Sequence, residues 1–464
     1  MMNDDLDALL ASHGQTHLLR FWNALRPDEQ ERLVAEIRAV DFGQIAELYA
    51  RRGAVDDVHE LVERAESPAA VRLDRSKNPF LLDEAKSRAA EALRAGRLGV
   101  VLVAGGQGTR LGFDYPKGMY PIGPVSNKSL FQIHVEKIVA ASRRYGAAIP
   151  LYLMTSPATD EPTRDFFAEN DRFGLAEDDL IIFRQGTMPA VDESTGNILL
   201  AEPGRLALSP DGHGGMLAAM TAAGVLDDAR RRGIEQLFYF QVDNPLVDVC
   251  GQEFVGYHLL AGSEMSSQAI AKRDPLKRVG NIISVDGRLH VIEYSDLPEV
   301  IARRRNPDGS LAIWAGSIAV HVFDVNFLRR MADRADALPF HHALKKVTHI
   351  DDAGRLVEPD RPNAVKFERF IFDLLPFARR AIVVEVDRAE AFAPLKNPSG
   401  DAADTPEMVR SCMMAQHARW LRSAAVEVAE GATVEISPLH ALDPEELAQK
   451  IPPGTRVDGD TYFE

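Results

Sequence analysis

The sequence predicts an α/β protein with a mixed, mainly parallel sheet and helices on both of its faces. Three observations predict it. Apolar strand patterns alternate with helical ones from residue 97 to 246, the strands are apolar at nearly every position, and a glycine-rich turn directly follows the first of them. Strands without a polar face are covered on both sides, as parallel strands are. A chain of 464 residues also has the length for two or three domains.

Residues 1–95 read as a helical part. In "RPDEQERLVAEIRAV" Pro27 falls in a first turn beside acidic residues, and Leu33, Val34, Ile37 and Val40 share one face. Residues 97–104 form the first strand. "SLFQIHVEKIVAASRRYG" (129–146) then has helical spacing and ends on basic residues and Gly146. "IPLYLMTS" (149–156) is a second strand, "TRDFFAEN" a helix, "LIIFRQG" (180–186) a third strand and "QLFYFQVDNPL" (236–246) a fourth. Shorter strands follow from about 279. Among them is "NIISVDGRLHVIEYSD" (281–296), whose Asp286-Gly287 marks a hairpin turn. "KNPSGDAADTP" (396–406) is a polar loop, "PEMVRSCMMAQHARWLRSA" (406–424) a helix, and the last forty residues a small appended unit. The expected domains are 1–95, 96–385 and 386–464.

Composition narrows the function. The formal charge of −16 arises from 69 acidic against 53 basic residues, which argues against nucleic acid as the main partner. Apolar runs such as "LGVVLVA" and "AIVVEV" are far shorter than a membrane span, and "MMNDDLDALL" is too acidic for a leader, so a cytoplasmic location is expected. Cys250 and Cys412 are the two cysteines, and nothing in their number requires a disulfide or a cysteine metal site. The adjacent histidines of "FHHAL" (340–344) would point to different sides of a strand and read as structural.

"VLVAGGQGTRLGFDYPKGMYPIG" (101–123) brings bare backbone next to Arg110 and Lys117, a combination suited to phosphates. Two common phosphate loops fail the test. The dinucleotide fingerprint requires glycine where Leu111 stands, which also counts against an oxidoreductase, and Lys117 lies between Pro116 and Gly118 rather than in Gly-Lys-Ser/Thr. Ligands of open α/β sheets bind beyond the carboxyl ends of the strands, and the glycine loop, Gln185 and Asp243 all follow strand ends.

The loop resembles the signature of uridylyltransferases of the UDP-sugar pyrophosphorylase family, especially its eukaryotic UDP-N-acetylglucosamine branch. Further motifs follow in the family's order: "RQGTMPAV" (184–191), "LSPDGHGGMLAAM" (208–220), "QVDNPLVDV" (241–249), "VIEYSDLPE" (291–299), "WAGSIAVHVF" (314–323), "LPFHHALKKV" (338–347), "VKFERFIFDLLPFA" (365–378) and "FAPLKNPSG" (392–400). The resemblance covers roughly 97–400. It implies a Rossmann-like nucleotide-sugar transferase domain flanked by an N-terminal helical part and a small C-terminal domain. It also implies a reaction, in which UTP and a sugar 1-phosphate give a UDP-sugar and pyrophosphate.

That reaction is an in-line attack of a phosphate oxygen on the α-phosphorus of UTP and needs no protein nucleophile. Catalysis then consists of positioning two polyanions and stabilising their charge. By the resemblance, Gly105, Gly106 and Gly108 let backbone amides reach the nucleotide, Arg110 and Lys117 hold phosphates, and Lys396 is a second phosphate lysine. Asp243 is the expected ligand of Mg²⁺ or Mn²⁺, completed by phosphate and water. Gln185 would read the uracil edge together with backbone at Gly212. Asn281, Glu293 and Tyr294, with Gly280, would meet sugar hydroxyls. His213 and Ser317 stand where N-acetylhexosamine members of the family usually carry asparagine, which tilts the expectation toward a plain hexose 1-phosphate. The contrasting reading is a catalytically silent UDP-sugar-binding protein, and the full set Arg110, Lys117, Asp243 and Lys396 argues against it.

Overall fold

The computed structural model describes residues 4–52, 58–334 and 337–464. The chain divides into two compact units. The smaller gathers Met1–Asp57, Gln185–Met216 and Leu338–Asp373, and the larger gathers Val58–Arg184, Leu217–Ala337 and Leu374–Glu464. These differ from the linear domains 1–95, 96–385 and 386–464. The reason is non-local pairing: Val191 and Asp192 pair with Val365 and Ala364, a join that no local pattern announces.

The larger unit holds a 10-stranded sheet. Leu98–Val103, Leu151–Thr155 and Leu180–Arg184 run parallel in that order, and Gln236–Gln241 runs parallel on the other side of Leu98–Val103. Ala315–Asp324 is antiparallel to Gln236–Gln241 and to Met265–Ala271, and beyond it Ala381–Glu385 is parallel to Met265–Ala271. One reversed strand thus joins two parallel blocks, which makes the sheet mixed, as expected.

The local signals place the elements well. Ser129 caps the helix Leu130–Tyr145 by accepting from Gln132 N, and Gly146 ends it at φ 66°. Thr405 caps Pro406–Ser423, which has proline in its first turn, and Pro27 opens Pro27–Arg38, where Leu33 and Ile37 are fully buried. In the predicted hairpin, Asn281–Val285 pairs with Arg288–Ile292. Asp286 at φ 50° and Gly287 at φ 75° form the turn, which demands positive φ at both central residues.

Three separate cores support the parts that matter for function. Val100, Leu102, Phe131, Leu153, Phe238 and Phe240 lie in the core beneath the main sheet. Leu10, Leu33 and Ile37 pack with Leu206, Val365 and Phe367 in the smaller unit. Leu421, Val434, Ile436 and Leu447 form a separate C-terminal cluster within the larger unit. Each such side chain contributes about 1.5–3 kcal/mol when fully buried, enough to fix the loops that these elements carry. His341 bonds Asp373 and its neighbour His342 bonds the Leu48 carbonyl, so the pair serves the framework of the smaller unit. Both cysteines are free thiols, and among the described residues no helix is long and apolar enough to cross a membrane.

Candidate active site

In the larger unit the loop after Leu98–Val103 folds back on itself. Lys117 N donates to Gly106 O (3.0 Å) and Gly108 N to Tyr115 O (2.9 Å), so the two basic residues sit on the two limbs of one narrow loop. A Cβ on Gly108 would lie 2.7 Å from the Phe113 carbonyl oxygen, and one on Gly118 would lie 2.3 Å from the Phe131 ring. These glycines are therefore required for close packing of the loop. Gly105 is half-buried and Gly106 exposed, while Arg110, in the short turn Thr109–Leu111, is also exposed.

A second loop completes the arrangement. Leu395 N donates to the Asp243 carbonyl (2.8 Å), and Asn244 bonds both the Ala391 carbonyl and Ala393 N. Lys117 Nζ reaches the Leu395 carbonyl (3.3 Å), one residue before Lys396. The strand-end Asp243 and the two lysines are thus brought together across 126 and 153 residues of sequence from Asp243 to Lys117 and Lys396. Burial lowers the Lys117 pKa below the ordinary lysine value. Asp243 opposes that shift, and Lys396 and Arg110 add to it. Lys117 therefore senses two further cations and one carboxylate, a positive surplus that a polyanion would relieve. Among the described residues no group of three or more His, Cys, Asp or Glu is placed to hold a metal. The donor set fits a cation that arrives with phosphate oxygens and water around the single carboxylate.

The hairpin gathers a different set. Ser317 N donates to Gly280 O (2.8 Å), and a Cβ on Gly280 would meet Glu293 Oε1 at 3.3 Å and Ser317 Cβ at 3.8 Å. Gly280, Glu293 and Ser317 are neighbours as expected, and Tyr294 is exposed beside them. Asn281 is not open to a ligand. It is 1% exposed, its Oδ1 accepts from the buried Lys272 ammonium, and its Nδ2 donates to the Val279 and Ile292 carbonyls. Its expected role as a sugar contact is corrected to that of a bracket within the hairpin, because the side chain is buried and both its oxygen and its NH₂ group are engaged by protein groups.

In the smaller unit Gln185, the residue after Leu180–Arg184, is 6% exposed. Its Nε2 faces Asp211 Oδ1 (3.4 Å) and the Gly212 carbonyl (3.5 Å). Gly212 has φ 84°, and a Cβ there would lie 2.4 Å from the Arg369 carbonyl oxygen, so glycine is mandatory. His213 packs against a stacked pair of aromatic rings, tilted to Phe370 at a centroid distance of 5.4 Å and edge-on to Phe372 at 5.6 Å. Burial, and then His341, push its pKa down to about 4. The ring is therefore neutral near pH 7. Its Nδ1 accepts from Ile371 N (3.3 Å), which places the proton on Nε2 and makes that nitrogen a donor. Phe370, Phe372, Arg369 and Asp211 were not singled out from the sequence, although they stand inside "VKFERFIFDLLPFA" and "LSPDGHGG". The signal was their place in motifs that already carried expected ligands.

A sheet whose strand ends carry a glycine loop, a carboxylate and a cluster of cations is suited to a nucleotidyltransferase. The sequence model of the UTP–glucose-1-phosphate uridylyltransferase family matches residues 49–446, and the chain belongs to that family. It is 37% identical over 453 residues to UDP-N-acetylhexosamine pyrophosphorylase-like protein 1 of Xenopus tropicalis, covering 93% of this chain and 87% of that protein. To UDP-N-acetylglucosamine pyrophosphorylase of Saccharomyces cerevisiae it is 34% identical over 465 residues, with 96% of each covered. The solved uridine diphosphate N-acetylglucosamine pyrophosphorylase of Trypanosoma brucei superposes with a TM-score of 0.84 at 27% identity, covering 100% of this chain and 99% of that one. The protein is an enzyme, a uridylyltransferase acting on UTP and a sugar 1-phosphate.

Proposed function

We propose that this enzyme makes UDP-N-acetylglucosamine from UTP and N-acetylglucosamine 1-phosphate, using Arg110, Lys117 and Lys396 on the phosphates and Asp243 on a divalent cation. The observation that carries the residue assignment is the gathering of Asp243, Lys396 and Arg110 around the Lys117 ammonium, with the Leu395–Asp243 backbone bond tying the Lys396 loop to the strand end. The sugar phosphate oxygen attacks the α-phosphorus, the bond from that phosphorus to the bridging oxygen breaks, and pyrophosphate leaves. Lys117 and Lys396 neutralise charge as it spreads over the phosphates. Arg110 offers a planar fork to the departing group. The cation would shield the repulsion between the two substrates.

The names of the relatives favour the N-acetylated sugar over the plain hexose expected from His213 and Ser317. The tautomer of His213 supports the change. A neutral ring with Nε2–H is a donor, as an asparagine amide is, and an acetyl carbonyl is an acceptor. Serine at 317 leaves more space beside Gly280 and Glu293 than asparagine would.

The test is pyrophosphate release from each nucleoside triphosphate with a panel of sugar 1-phosphates. The expected result is release with UTP, Mg²⁺ and N-acetylglucosamine 1-phosphate. A tenfold or greater preference for glucose or galactose 1-phosphate would overturn the sugar assignment, and full turnover in excess EDTA would overturn the metal assignment.

A further inference from the structure

Asp211 is a buried carboxylate with little to hold it. It is 7% exposed, its one side-chain partner among the described residues is Gln185, and burial raises its pKa against the opposing pull of Arg369 and Gln185. Burying a charge with so few bonds costs stability. The surroundings are shaped around it. A Cβ on Gly215 would lie 2.1 Å from Asp211 Oδ1, and one on Gly186 would lie 3.0 Å from Oδ2. The backbone is pinned as well, with Asp211 N donating to Gly186 O (3.2 Å) and Arg369 N to Asp211 O (2.8 Å).

A carboxylate accepts hydrogen bonds and cannot donate them, and the same holds for a carbonyl. Both groups that face the Gln185 amide on this side, Asp211 Oδ1 and the Gly212 carbonyl, are acceptors. They require the NH₂ end of the amide to turn toward them. The opposite end, Oε1, takes no bond from the described residues and is not among the buried unpartnered atoms. The Gly212 N–H donates to no backbone acceptor among the described residues. An acceptor and a donor, Oε1 and Gly212 N–H, are therefore left for a ligand.

We infer that Asp211 is the residue that sets base specificity, by locking the Gln185 amide with its oxygen presented to the nucleotide. Uracil offers N3–H and O4, which match an acceptor beside a donor. Cytosine offers a bare N3 and an N4 amino group, the reverse pattern, and meets the locked pair with two mismatches. Asp211 touches no base and acts through Gln185, so it is a positioning residue. The inference rests on the reading of Gln185 as the uracil-facing side chain.

The experiment compares kcat/KM for UTP and CTP in four proteins: wild type, Asp211→Asn, Gln185→Glu, and the double variant Asp211→Asn/Gln185→Glu, with thermal melting as a folding control. In Asp211→Asn the new carboxamide can donate as well as accept, so the amide of Gln185 loses its fixed orientation. The UTP/CTP ratio is expected to fall tenfold or more, against a wild-type preference that hydrogen-bonded sites hold at about 10² or above. Gln185→Glu places two carboxylates together and is expected to lower UTP turnover at least tenfold. In the double variant the introduced carboxamide donates to the introduced carboxylate, whose other oxygen again faces the base as an acceptor. The Gly212 carbonyl still opposes that carboxylate, so the UTP/CTP ratio is expected to recover in part, to above that of either single variant. A ratio unchanged in Asp211→Asn, or no recovery in the double variant, overturns the inference. Should Asp211→Asn fail to fold, Gln185→Glu decides, and undiminished UTP turnover overturns it. Failure of the underlying reading looks different: Gln185→Glu would then keep both the UTP turnover and the UTP/CTP ratio of wild type, whereas failure of the inference alone leaves Gln185→Glu impaired and Asp211→Asn unchanged.

Discussion

The cations of the larger unit and the polar groups of the smaller one recognise by different physics. Lys396 and Arg110 both disfavour the charged form of Lys117, and the local relief is the single carboxylate of Asp243. Around Gln185, by contrast, donors and acceptors are matched and oriented, and His213 is held neutral. On the proposed reading, the first region is an unsatisfied field suited to the phosphates of any nucleotide, and the second is a fixed pattern of donors and acceptors suited to telling one base from another. Substitutions in the first should therefore cost rate without selectivity, and those in the second should cost selectivity first.

Lys117→Ala is the strongest way to break that contrast. It is expected to lower kcat/KM on the order of 10²-fold or more, because a preorganised charge at the reacting phosphates is lost. The loss should be equal for UTP and CTP, as steady-state kinetics with both nucleotides will read. A loss confined to UTP would mean that the cations also take part in base selection.

A smaller effect is expected at His213. Replacing it with alanine removes the Nε2–H donor and should cost N-acetylglucosamine 1-phosphate about 1–3 kcal/mol more than it costs glucose 1-phosphate, the usual size of one polar pocket contact. His213→Asn keeps a donor and should preserve the preference. Competition between the two sugar phosphates at fixed UTP measures both variants, and equal losses for both sugars in His213→Ala would remove the residue from sugar selection.

The smallest effect on turnover is expected from Asn281→Ala, which sharpens the line between scaffold and ligand contacts. The change leaves the Lys272 ammonium without its amide partner in a buried place, where burial already pushes its pKa down to about 8. Stability should fall by about 1–3 kcal/mol, visible as a lower Tm, while kcat/KM at a permissive temperature stays within about threefold. A raised KM for the sugar phosphate at unchanged Tm would restore Asn281 to the sugar site.

Much of this molecule was legible from its residues, for reasons that can be named. The strands at 98, 151, 180 and 236, the capped helices at 130 and 406 and the Asp286-Gly287 turn follow from local sterics and hydrogen bonding, so a short window of sequence contains their cause. Gly280, Glu293 and Ser317 were expected together and lie together, and so do Lys117, Asp243 and Lys396. The amino-acid types also pointed to the chemistry: bare backbone beside cations suits phosphates, and a carboxamide suits a base edge.

What remained was decided only by tertiary structure, because its causes lie far away in the chain. Asn281 has the right type and neighbourhood for a sugar contact, yet Lys272 and two carbonyls claim it. His213 owes its neutral state to burial and its tautomer to the backbone of Ile371, 158 residues distant. The split into two units follows pairings such as Val191 with Val365. Orientation, protonation and partner choice depend on which groups meet across the fold, and a linear sequence specifies those meetings only through the packing of the whole chain.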